Sequence, residues 1–334
     1  ICMRILHIVS SLPKKGWPRN TFIKSQIDSL KEIGIEVDIF EVNSWPGKKI
    51  NYFLGFFELR KYLKNNEYDL IHAHYIYSGL IAISQRRVPV VYSYMGSEIL
   101  GTPDISGKLT LLGRINILLS RLLQYFVDEI IVKSENLLEK LDPNLSINVV
   151  PNGVNFNTFR PMDKKECREK LGLNKRNKIV LFLGKTDDPR KNYSLAQSSI
   201  EYLNSYSSKR INIELVAPNS IAPEEVPVYL NASDVLLQAS LWEGSPNVIK
   251  EAMACNIPIV STDVGDVKKV IIGTAGCFLT DYDSQSMGDA IDNAISFNSR
   301  TLGRNDMQHL RIERVAKTIK SIYETLLAKK GKGI

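Results

Sequence analysis

Short runs rich in β-branched residues alternate with helical segments along most of the chain. The pattern predicts strands at Arg4–Val9, Val37–Val42, Leu70–Ala73, Val88–Ser93, Glu129–Val132, Ile147–Val150, Ile179–Gly184, Ile211–Val216, Asp234–Leu237, Ile257–Ser261 and Cys277–Leu279. It predicts helices that include Asn20–Ile33, Phe53–Lys64, Leu109–Phe126 and a final helix over Asp306–Ala328. This alternation is typical of parallel α/β sheets.

The alternation is interrupted once, near the middle of the chain. Proline and glycine occur together in Pro151–Asn155, and a further proline follows at Pro161. These residues favour turns, so the interruption indicates a hinge. A chain of 334 residues is long enough for two domains with separate cores. We therefore predict one domain over residues 1–155 and a second over 156–305.

Composition narrows the class of partner. Hydrophobic residues make up 44% of the chain and charged residues 24%, as in an ordinary globular protein. The 43 basic residues exceed the 36 acidic ones, and the net charge of +7 favours anionic partners such as nucleotide sugars or phospholipid surfaces. The basic residues are spread out and are not clustered with aromatic residues, which argues against nucleic acid.

Cysteine usage and hydropathy bear on location. The four cysteines form no close pair and no metal-ligand spacing, as expected in a reducing compartment. The apolar run Arg4–Val9 is followed too soon by Pro13–Lys15 for a signal peptide. No stretch approaches the ~20 apolar residues of a membrane-spanning helix. The sequence therefore favours a cytoplasmic protein.

One stretch places two carboxylates around a predicted helix start. Glu243 falls in a loop, and Ser245–Pro246 fits an N-cap followed by the first helical residue. The N–H groups of Asn247–Val248 then lie in the first turn, where a helix offers a seat for phosphate. Glu251 is about 6 Å further along the axis. A carboxylate at that distance suits a ribose diol, so the stretch predicts a site for a nucleotide with a group attached.

The same residues resemble the E-x7-E block of the retaining glycosyltransferases of family 4. Glu243 and Glu251 have seven residues between them, with Asn231–Leu237 before them and Ile257–Asp266 after them. The resemblance implies the GT-B fold, in which two facing Rossmann-like parallel-sheet domains hold a nucleotide sugar in the cleft between them. It also implies that the final helix, 306–328, packs back on the first domain, and that neither a metal nor a cofactor is required.

The resemblance assigns roles to residues of the second domain. Glu251 would hold the ribose, and the N–H groups at Asn247 and Val248 would bind the diphosphate. Glu243 would meet the donor sugar, and the rest of the nucleotide-sugar set is Lys185, Lys191, Gly244, Ser245, Pro246 and Gly16. Lys191 would also be catalytic with Glu243, because lysines can neutralise the leaving diphosphate.

Three residues of this set have plainer alternatives. Lys185 stands where the family usually has arginine, which keeps the charge and loses the bidentate fork. Lys185 and Lys191 are alternatively surface lysines of a solvated loop. Gly16 is alternatively a turn glycine, because the first loop contains no G-x-G-x-x-G pattern.

The loop after the fourth predicted strand departs from the family. Many members have a His-Gly-Ser-Asp-like sequence there, whereas this chain has Met95, Gly96, Ser97 and Glu98. Methionine donates no hydrogen bond, so the usual histidine role is not carried over. Gly96, Glu98 and His74 are assigned to the acceptor or sugar side, with a structural role as the alternative for His74.

Two predicted helices combine aromatic, aliphatic and basic residues. One follows Trp45 and covers Tyr52–Lys64, and the other covers Lys108–Arg121. Such helices can lie in a lipid interface, which would make the protein peripheral at the inner face of a membrane. The alternative is that both pack on the first sheet and present their basic residues to water.

The sequence thus predicts a metal-independent retaining glycosyltransferase. It would move a hexose-type sugar from a nucleotide diphosphate to an acceptor hydroxyl, with a lipid-linked or cell-surface glycan as the expected acceptor. The segment between Val216 and Asp234 is short for the family, which leaves the base unassigned. Two alternatives stay open: a nucleotide-sugar epimerase of the same architecture, and a catalytically silent family member that binds nucleotide and acts as a partner protein.

Overall fold

The computed structural model describes residues 3–10, 12, 20–42, 50–101, 108–206, 212–219 and 221–331. The chain divides into two compact units. The first comprises Ile1–Gly153 and Ile312–Ile334, and the second comprises Val154–Arg311. The predicted domain limits at 155 and 305 lie a few residues from these. Gly16 and Trp45, which the sequence singled out, lie outside the described residues.

The first unit is built on one parallel sheet. Its strands are β1 (Arg4–Val9), β2 (Glu36–Glu41), β3 (Leu70–His74), β4 (Val90–Tyr94), β5 (Glu129–Val132) and β6 (Ile147–Val149). Their order across the sheet is β2-β1-β3-β4-β5-β6. The helices of this part are α1 (Thr21–Glu32), α2 (Ile50–Asn65), α3 (Ile76–Ile83), α4 (Ser97–Leu100) and α5 (Leu111–Leu123), with a 3-10 turn at Glu135–Lys140.

The second unit repeats the plan with a smaller sheet. Its strands are β7 (Lys178–Phe182), β8 (Ile213–Val216), β9 (Val235–Gln238), β10 (Ile259–Thr262) and β11 (Cys277–Thr280), in the order β11-β10-β9-β7-β8. Its helices are α6 (Lys164–Leu171), α7 (Tyr193–Tyr206), α8 (Val226–Ala232), α9 (Asn247–Ala254), α10 (Val267–Ile271), α11 (Ser284–Phe297) and α12 (Gly303–Asp306), with 3-10 turns at Pro189–Lys191 and Gln308–Leu310. The predicted architecture of two parallel-sheet α/β domains is confirmed.

The final helix starts later than predicted. It was expected from Asp306, whereas α13 covers Ile312–Lys329. Arg311 is extended and bridges to Val154, whose N–H donates to the carbonyl of Leu310 at 2.9 Å. This short pairing requires extended backbone, so the helix begins only after it. The prediction of one continuous helix from residue 306 is therefore wrong at its first turn.

Side chains of the first sheet alternate between two cores, as a strand repeat of two residues requires. Leu6 and Ile8 point to the side covered by α2, α3 and α5. Ile5 and Val9 point to the opposite side, where α1 and α13 pack. Six residues of α13 are buried in that core: Val315, Ala316, Ile319, Tyr323, Leu326 and Leu327. The last helix of the chain is thus an integral part of the first unit.

Three histidines meet inside the first unit. His7 Nδ1 and His74 Nε2 lie 3.0 Å apart, and the rings of His72 and His74 stack. His72 contacts the Tyr323 hydroxyl at 2.5 Å and Ser93 Oγ at 2.8 Å. All three imidazoles are fully buried, and their ligand-type nitrogens lie within 4.8 Å of one another. Strand pairing creates this cluster, which the sequence spacing did not predict.

The histidine cluster should make unfolding depend on pH. Burial lowers the pKa of His7 from 6.5 to about 3 and holds the pKa values of His72 and His74 well below 6.5. The unfolded chain then binds more protons than the folded chain between these values. Stability contributed by the cluster is therefore complete above pH 6.5 and is lost as pH falls below it.

Urea unfolding at about pH 7 and about pH 5 would measure this effect. The His7→Gln variant should lose less stability between the two pH values than the wild type. His309, which is exposed, supplies the matched control His309→Gln, whose pH response should equal that of the wild type. Equal pH responses for all three proteins would mean that the buried histidines do not cause the pH dependence of unfolding.

Candidate active site

The loops that follow three adjacent strands of the second unit meet at one edge of its sheet. They are the segments after β7, β9 and β10, and these strands lie side by side in the order β10-β9-β7. The carboxyl ends of parallel strands all point the same way, so their loops converge there. This edge carries both glutamates and both lysines that the sequence selected.

A pocket of about 550 Å³ opens beside these loops. The segment after β7 contributes Gly184 and Lys185, and α9 contributes Val248 and Glu251. Asn219, in the short segment after β8, lines a further side. The segment that looked short in the sequence is therefore part of the pocket wall. The pocket combines an apolar surface, an exposed lysine and a carboxylate.

Glu251 is the carboxylate of this pocket. It lies in the second turn of α9, and part of the residue remains exposed. Burial raises its pKa from 4.5 to about 7, and the neighbouring Lys250 ammonium opposes the shift. Near neutral pH this group is therefore divided between a hydrogen-bond acceptor and a protonated acid. Both forms can bind a hydroxyl, and only the carboxylate accepts two hydrogen bonds from a diol.

Glu243 is held by two cations at once. Its Oε1 accepts from Lys191 Nζ at 2.6 Å and from Ser240 Oγ at 3.1 Å. Its Oε2 accepts from the Arg190 guanidinium at 2.6 Å. The Glu243 side chain is 11% exposed, so these bonds are shielded from water. The Arg190 guanidinium also contacts Asp188 Oδ2 at 3.2 Å, so the group consists of two cations and two carboxylates.

Lys191 was predicted as a site residue from the sequence, whereas Arg190 was not. Both belong to the 3-10 turn Pro189–Lys191, whose N-cap Asp188 accepts from the Arg190 N–H at 3.0 Å. The Arg190 carbonyl accepts from the Leu241 N–H at 2.9 Å, and its guanidinium lies 5.2 Å from the Trp242 ring centroid. These contacts fasten the two loops together. Asp188 followed by Pro189 is the sequence signal of a helical turn that could have indicated Arg190.

The start of α9 differs from the prediction. Ser245 was expected to cap the helix, with Pro246 as its first residue; instead Pro246 is the N-cap and no side chain caps the helix. Ser245 Oγ donates to Asp266 Oδ2 at 2.7 Å, and the Lys250 ammonium contacts both groups. Lys250 is 0% exposed and must be compensated, so it recruits the serine hydroxyl away from the helix end.

Two glycines allow these loops to approach each other. A Cβ at Gly184 would lie 3.2 Å from the Lys191 side chain, so glycine leaves room for that lysine to reach Glu243. Gly265 has φ +61, and a Cβ there would lie 2.4 Å from the Gly244 carbonyl oxygen. The turn after β10 thus supports the backbone of Glu243 and Gly244 directly.

Gly265→Ala is expected to lower stability and to displace the Glu243–Gly244 backbone. The cost should include about 1–2 kcal/mol of left-handed strain and a further 1–3 kcal/mol for the clash. Gly273→Ala is a matched control, because Gly273 also has positive φ (+83) and meets no atom within 4 Å. Thermal unfolding should show a larger loss for Gly265→Ala. Equal losses would mean that the contact with Gly244 contributes nothing.

The residues assigned to the acceptor side lie in the first unit. Gly96 precedes α4 with φ +113, and Glu98 Oε1 accepts from the Met95 N–H at 2.8 Å and from Tyr92 at 3.4 Å. Glu98 is 3% exposed, and burial raises its pKa. His74 belongs to the buried histidine cluster. Their assignment to the acceptor or sugar side stays a prediction.

Two protein-family models match the chain. The model described as Glycosyltransferase Family 4 matches residues 5–158, and the model described as Glycosyl transferases group 1 matches residues 201–296. The first match covers most of the first unit, and the second contains the loop with Glu243, helix α9 and Glu251. The matches show that the chain is a glycosyltransferase of the group 1 type.

Curated relatives agree with this class. D-inositol 3-phosphate glycosyltransferase of Frankia alni is 24% identical over 273 residues, which cover 68% of this chain and 66% of that protein. The chain thus spans just under two thirds of this relative's length. UDP-Gal:alpha-D-GlcNAc-diphosphoundecaprenol alpha-1,3-galactosyltransferase of Escherichia coli is 24% identical over 318 residues, which cover 81% of this chain and 79% of that protein.

Solved structures share the fold over nearly the whole chain. Sucrose-phosphate synthase of Thermosynechococcus elongatus has a TM-score of 0.78 at 18% identity and covers 98% of this chain and 100% of its own. HepE of Anabaena, solved with UDP and glucose, has a TM-score of 0.69 at 16% identity and covers 97% of this chain and 100% of its own. The predicted GT-B fold class is confirmed.

Proposed function

We propose that the protein transfers a sugar from a nucleotide diphosphate donor to an acceptor hydroxyl, with retention of the anomeric configuration. One observation carries the proposal. Glu251 lines the pocket, and Glu243, at the same edge of the sheet, accepts hydrogen bonds from Arg190 and Lys191. A nucleotide sugar requires a carboxylate that accepts hydrogen bonds from the ribose diol, a second carboxylate that binds the sugar, and cations that bind the diphosphate.

In this proposal each part of the donor has its own partner. Glu251 accepts hydrogen bonds from the ribose hydroxyls, and the first turn of α9 at Asn247 and Val248 receives the diphosphate. Lys185 lies at the pocket wall and adds a positive charge. The base would lie toward Asn219. Glu243 would bind hydroxyls of the donor sugar.

The bond that breaks joins the anomeric carbon of the sugar to the diphosphate oxygen. Negative charge grows on the departing diphosphate as this bond lengthens, and Arg190 and Lys191 would stabilise it. Positive charge grows on the sugar ring, which the Glu243 carboxylate stabilises. The leaving phosphate takes the acceptor proton while the acceptor oxygen forms the new bond on the same face. The side-chain cations compensate the phosphate charge, so the proposed reaction needs neither metal nor cofactor.

Two relatives guide the choice of substrates. The Escherichia coli relative is named for UDP-galactose and a diphosphoundecaprenol-linked acceptor, and the HepE structure contains UDP and glucose. We therefore propose uridine diphosphate sugars as the donor class and a lipid-linked glycan as the acceptor class. The reaction would belong to cell-surface polysaccharide or glycolipid synthesis and would take place beside a membrane.

A transfer assay read by proton NMR tests this function. The full chain is incubated with sugars of UDP, GDP, ADP or TDP and with lipid-linked glycan acceptors, with and without a chelator. The expected result is one productive donor, a product with the donor's anomeric configuration, and no effect of the chelator. Product with the opposite configuration would overturn the mechanism. Release of an epimer without acceptor would indicate an epimerase, and binding without turnover would indicate a silent partner protein.

A further inference from the structure

Helix α5 exposes a row of apolar residues to solvent. Its buried residues are Gly113, Ser120 and Leu123, and Leu119 packs partly buried against the core. Its exposed apolar residues are Leu111, Leu112, Ile115, Leu118 and Leu122. Leu111, Leu118 and Leu122 are 75%, 59% and 50% exposed. With Ile115 they follow the spacing i, i+4, i+7, i+11, which places them in a single stripe along the helix. A helix that only covered its own sheet would turn this stripe inward.

A second apolar row lies on α2, across α3 from α5. Phe53 and Phe57 are 59% and 60% exposed, and they contact each other edge to face. Tyr77 of α3 connects the two helices: it contacts the Tyr52 ring of α2 and donates to Asn116 of α5. None of the α3 residues is exposed, so α3 is packed closer to the sheet than the exposed rows of α2 and α5. The two apolar rows therefore belong to one face of the first unit, which we call the α2–α5 face.

Close helix packing produces this arrangement. Gly79 of α3 is so near α5 that a Cβ would lie 2.6 Å from Leu123. Gly55 of α2 is equally close to α3, with a Cβ that would lie 2.8 Å from Ile81. The glycines let α3 sit deep between its neighbours, and the outer surfaces of α2 and α5 remain uncovered. The exposure of the apolar stripe thus accompanies the close packing of α2, α3 and α5.

The charges beside the stripe are basic. Arg114 and Arg121 lie along one side of the α5 stripe, and the α5 segment contains no acidic residue. The basic residues exposed on α2 are Arg60, Lys61 and Lys64, and Glu58 is its only acid. Exposed leucine and phenylalanine bordered by arginine and lysine match the boundary between acyl chains and anionic headgroups. A second copy of the chain would instead bring arginines opposite arginines.

We propose that the α2–α5 face docks on a membrane that contains anionic lipid. Leu111, Ile115, Leu118, Leu122 and the α2 phenylalanines enter the acyl boundary, while the basic residues contact headgroup phosphates. No helix among the described residues could cross a bilayer, so this contact would be interfacial. The inference rests on the first unit alone and does not depend on the proposed donor site.

Vesicle flotation of the full chain tests the proposal. Vesicles of phosphatidylcholine alone are compared with vesicles that contain about one third phosphatidylglycerol, at low and high salt. Two double variants serve as probes. The leucine probe combines Leu118→Asn with Leu122→Asn, and the arginine probe combines Arg114→Glu with Arg121→Glu. Matched controls are Ile272→Asn with Leu302→Asn, both exposed in the second unit, and Lys175→Glu with Arg176→Glu.

The wild type and both controls should float with the anionic vesicles and bind phosphatidylcholine weakly. Each probe should reduce the affinity by roughly tenfold or more, because the arginine variant loses two contacts with headgroup phosphates and the leucine variant loses apolar side chains from the acyl boundary. Circular dichroism melts of all variants exclude unfolding as the cause. Wild-type protein that fails to float, or probes that float like the wild type, would overturn the proposal. So would a dimer in light scattering that the leucine probe dissociates, because the face would then be a self-association interface.

Discussion

Glu251→Gln is expected to weaken nucleotide diphosphate sugar binding by about 30- to 100-fold, the equivalent of roughly 2–3 kcal/mol for hydrogen bonds to a charged group. The variant keeps the size of the side chain and removes the carboxylate that a ribose diol requires. Calorimetric titration with the donor measures the loss. Glu224→Gln, an exposed glutamate of the same unit, is the matched control and should bind as the wild type does. Equal affinity in all three proteins would contradict the ribose assignment.

The raised pKa of Glu251 adds a pH signature to this result. Below about pH 7 the group is mainly protonated, and above it the carboxylate prevails. Donor affinity of the wild type should therefore rise as pH increases through 7, and the Glu251→Gln variant should show no such rise. A nucleotide sugar is the proper probe, because its diphosphate has no terminal group that titrates near pH 6. Parallel pH profiles would mean that Glu251 does not meet the donor.

The same pKa shift works in the opposite direction on folding. Folded Glu251 binds a proton up to about pH 7, whereas in the unfolded chain the group loses it near 4.5. Its contribution to stability is thus present at low pH and declines between these values. The buried histidines produce the reverse slope, so only the difference between wild type and a variant isolates either group.

Lys191→Ala should lower kcat by about 10²- to 10³-fold, as loss of a group that stabilises developing charge usually does. The effect on KM should be smaller, because the diphosphate carries its largest charge as the sugar bond breaks. Glu243 would still be held by Arg190 and Ser240, so the loop is expected to remain ordered. Lys191→Arg keeps the charge and should recover part of the loss.

Steady-state transfer rates of these variants provide the measurement. Lys170→Ala, an exposed lysine on α6, is the matched control and should retain wild-type kcat. Raised KM with unchanged kcat in Lys191→Ala would show that the lysine only binds donor. An unchanged kcat/KM would remove Lys191 from the mechanism.

The strands were predictable because burial imposes a pattern on them. Runs such as Ile179–Gly184 and Ile257–Ser261 correspond to β7 and β10, with boundaries moved by one or two residues. The final helix was harder, because the pairing of Arg311 with Val154 depends on residues that are far apart in sequence. Local propensity alone extends a helix through such a point.

Parts of the site had local signals and parts did not. Glu243 and Glu251 were identified by their spacing around a helix start, and the structure brings Lys185 and Lys191 to the same edge of the sheet. The capping prediction for Ser245 was wrong because the buried Lys250 and Asp266 take its hydroxyl. The sequence around Ser245 does not show that its hydroxyl bonds to a residue of another loop.

The orientation of α5 could not be derived from the sequence. Its apolar residues predict an amphipathic helix, and such a helix normally turns its apolar side toward the sheet. The glycines Gly79 and Gly55 permit close packing of α3 through contacts with Leu123 and Ile81, which are distant from them in sequence. The histidine cluster is similar, since strand pairing and the return of α13 assemble it.

A crystal structure of the full chain with a bound nucleotide diphosphate sugar would show whether Glu251 and α9 form the donor site. We expect the ribose hydroxyls within hydrogen-bond distance of Glu251 and the diphosphate at the first turn of α9. Arg190 and Lys191 should contact phosphate or the sugar-binding Glu243. A nucleotide bound elsewhere, or in this pocket with its ribose directed away from Glu251, would contradict the assignment of the site.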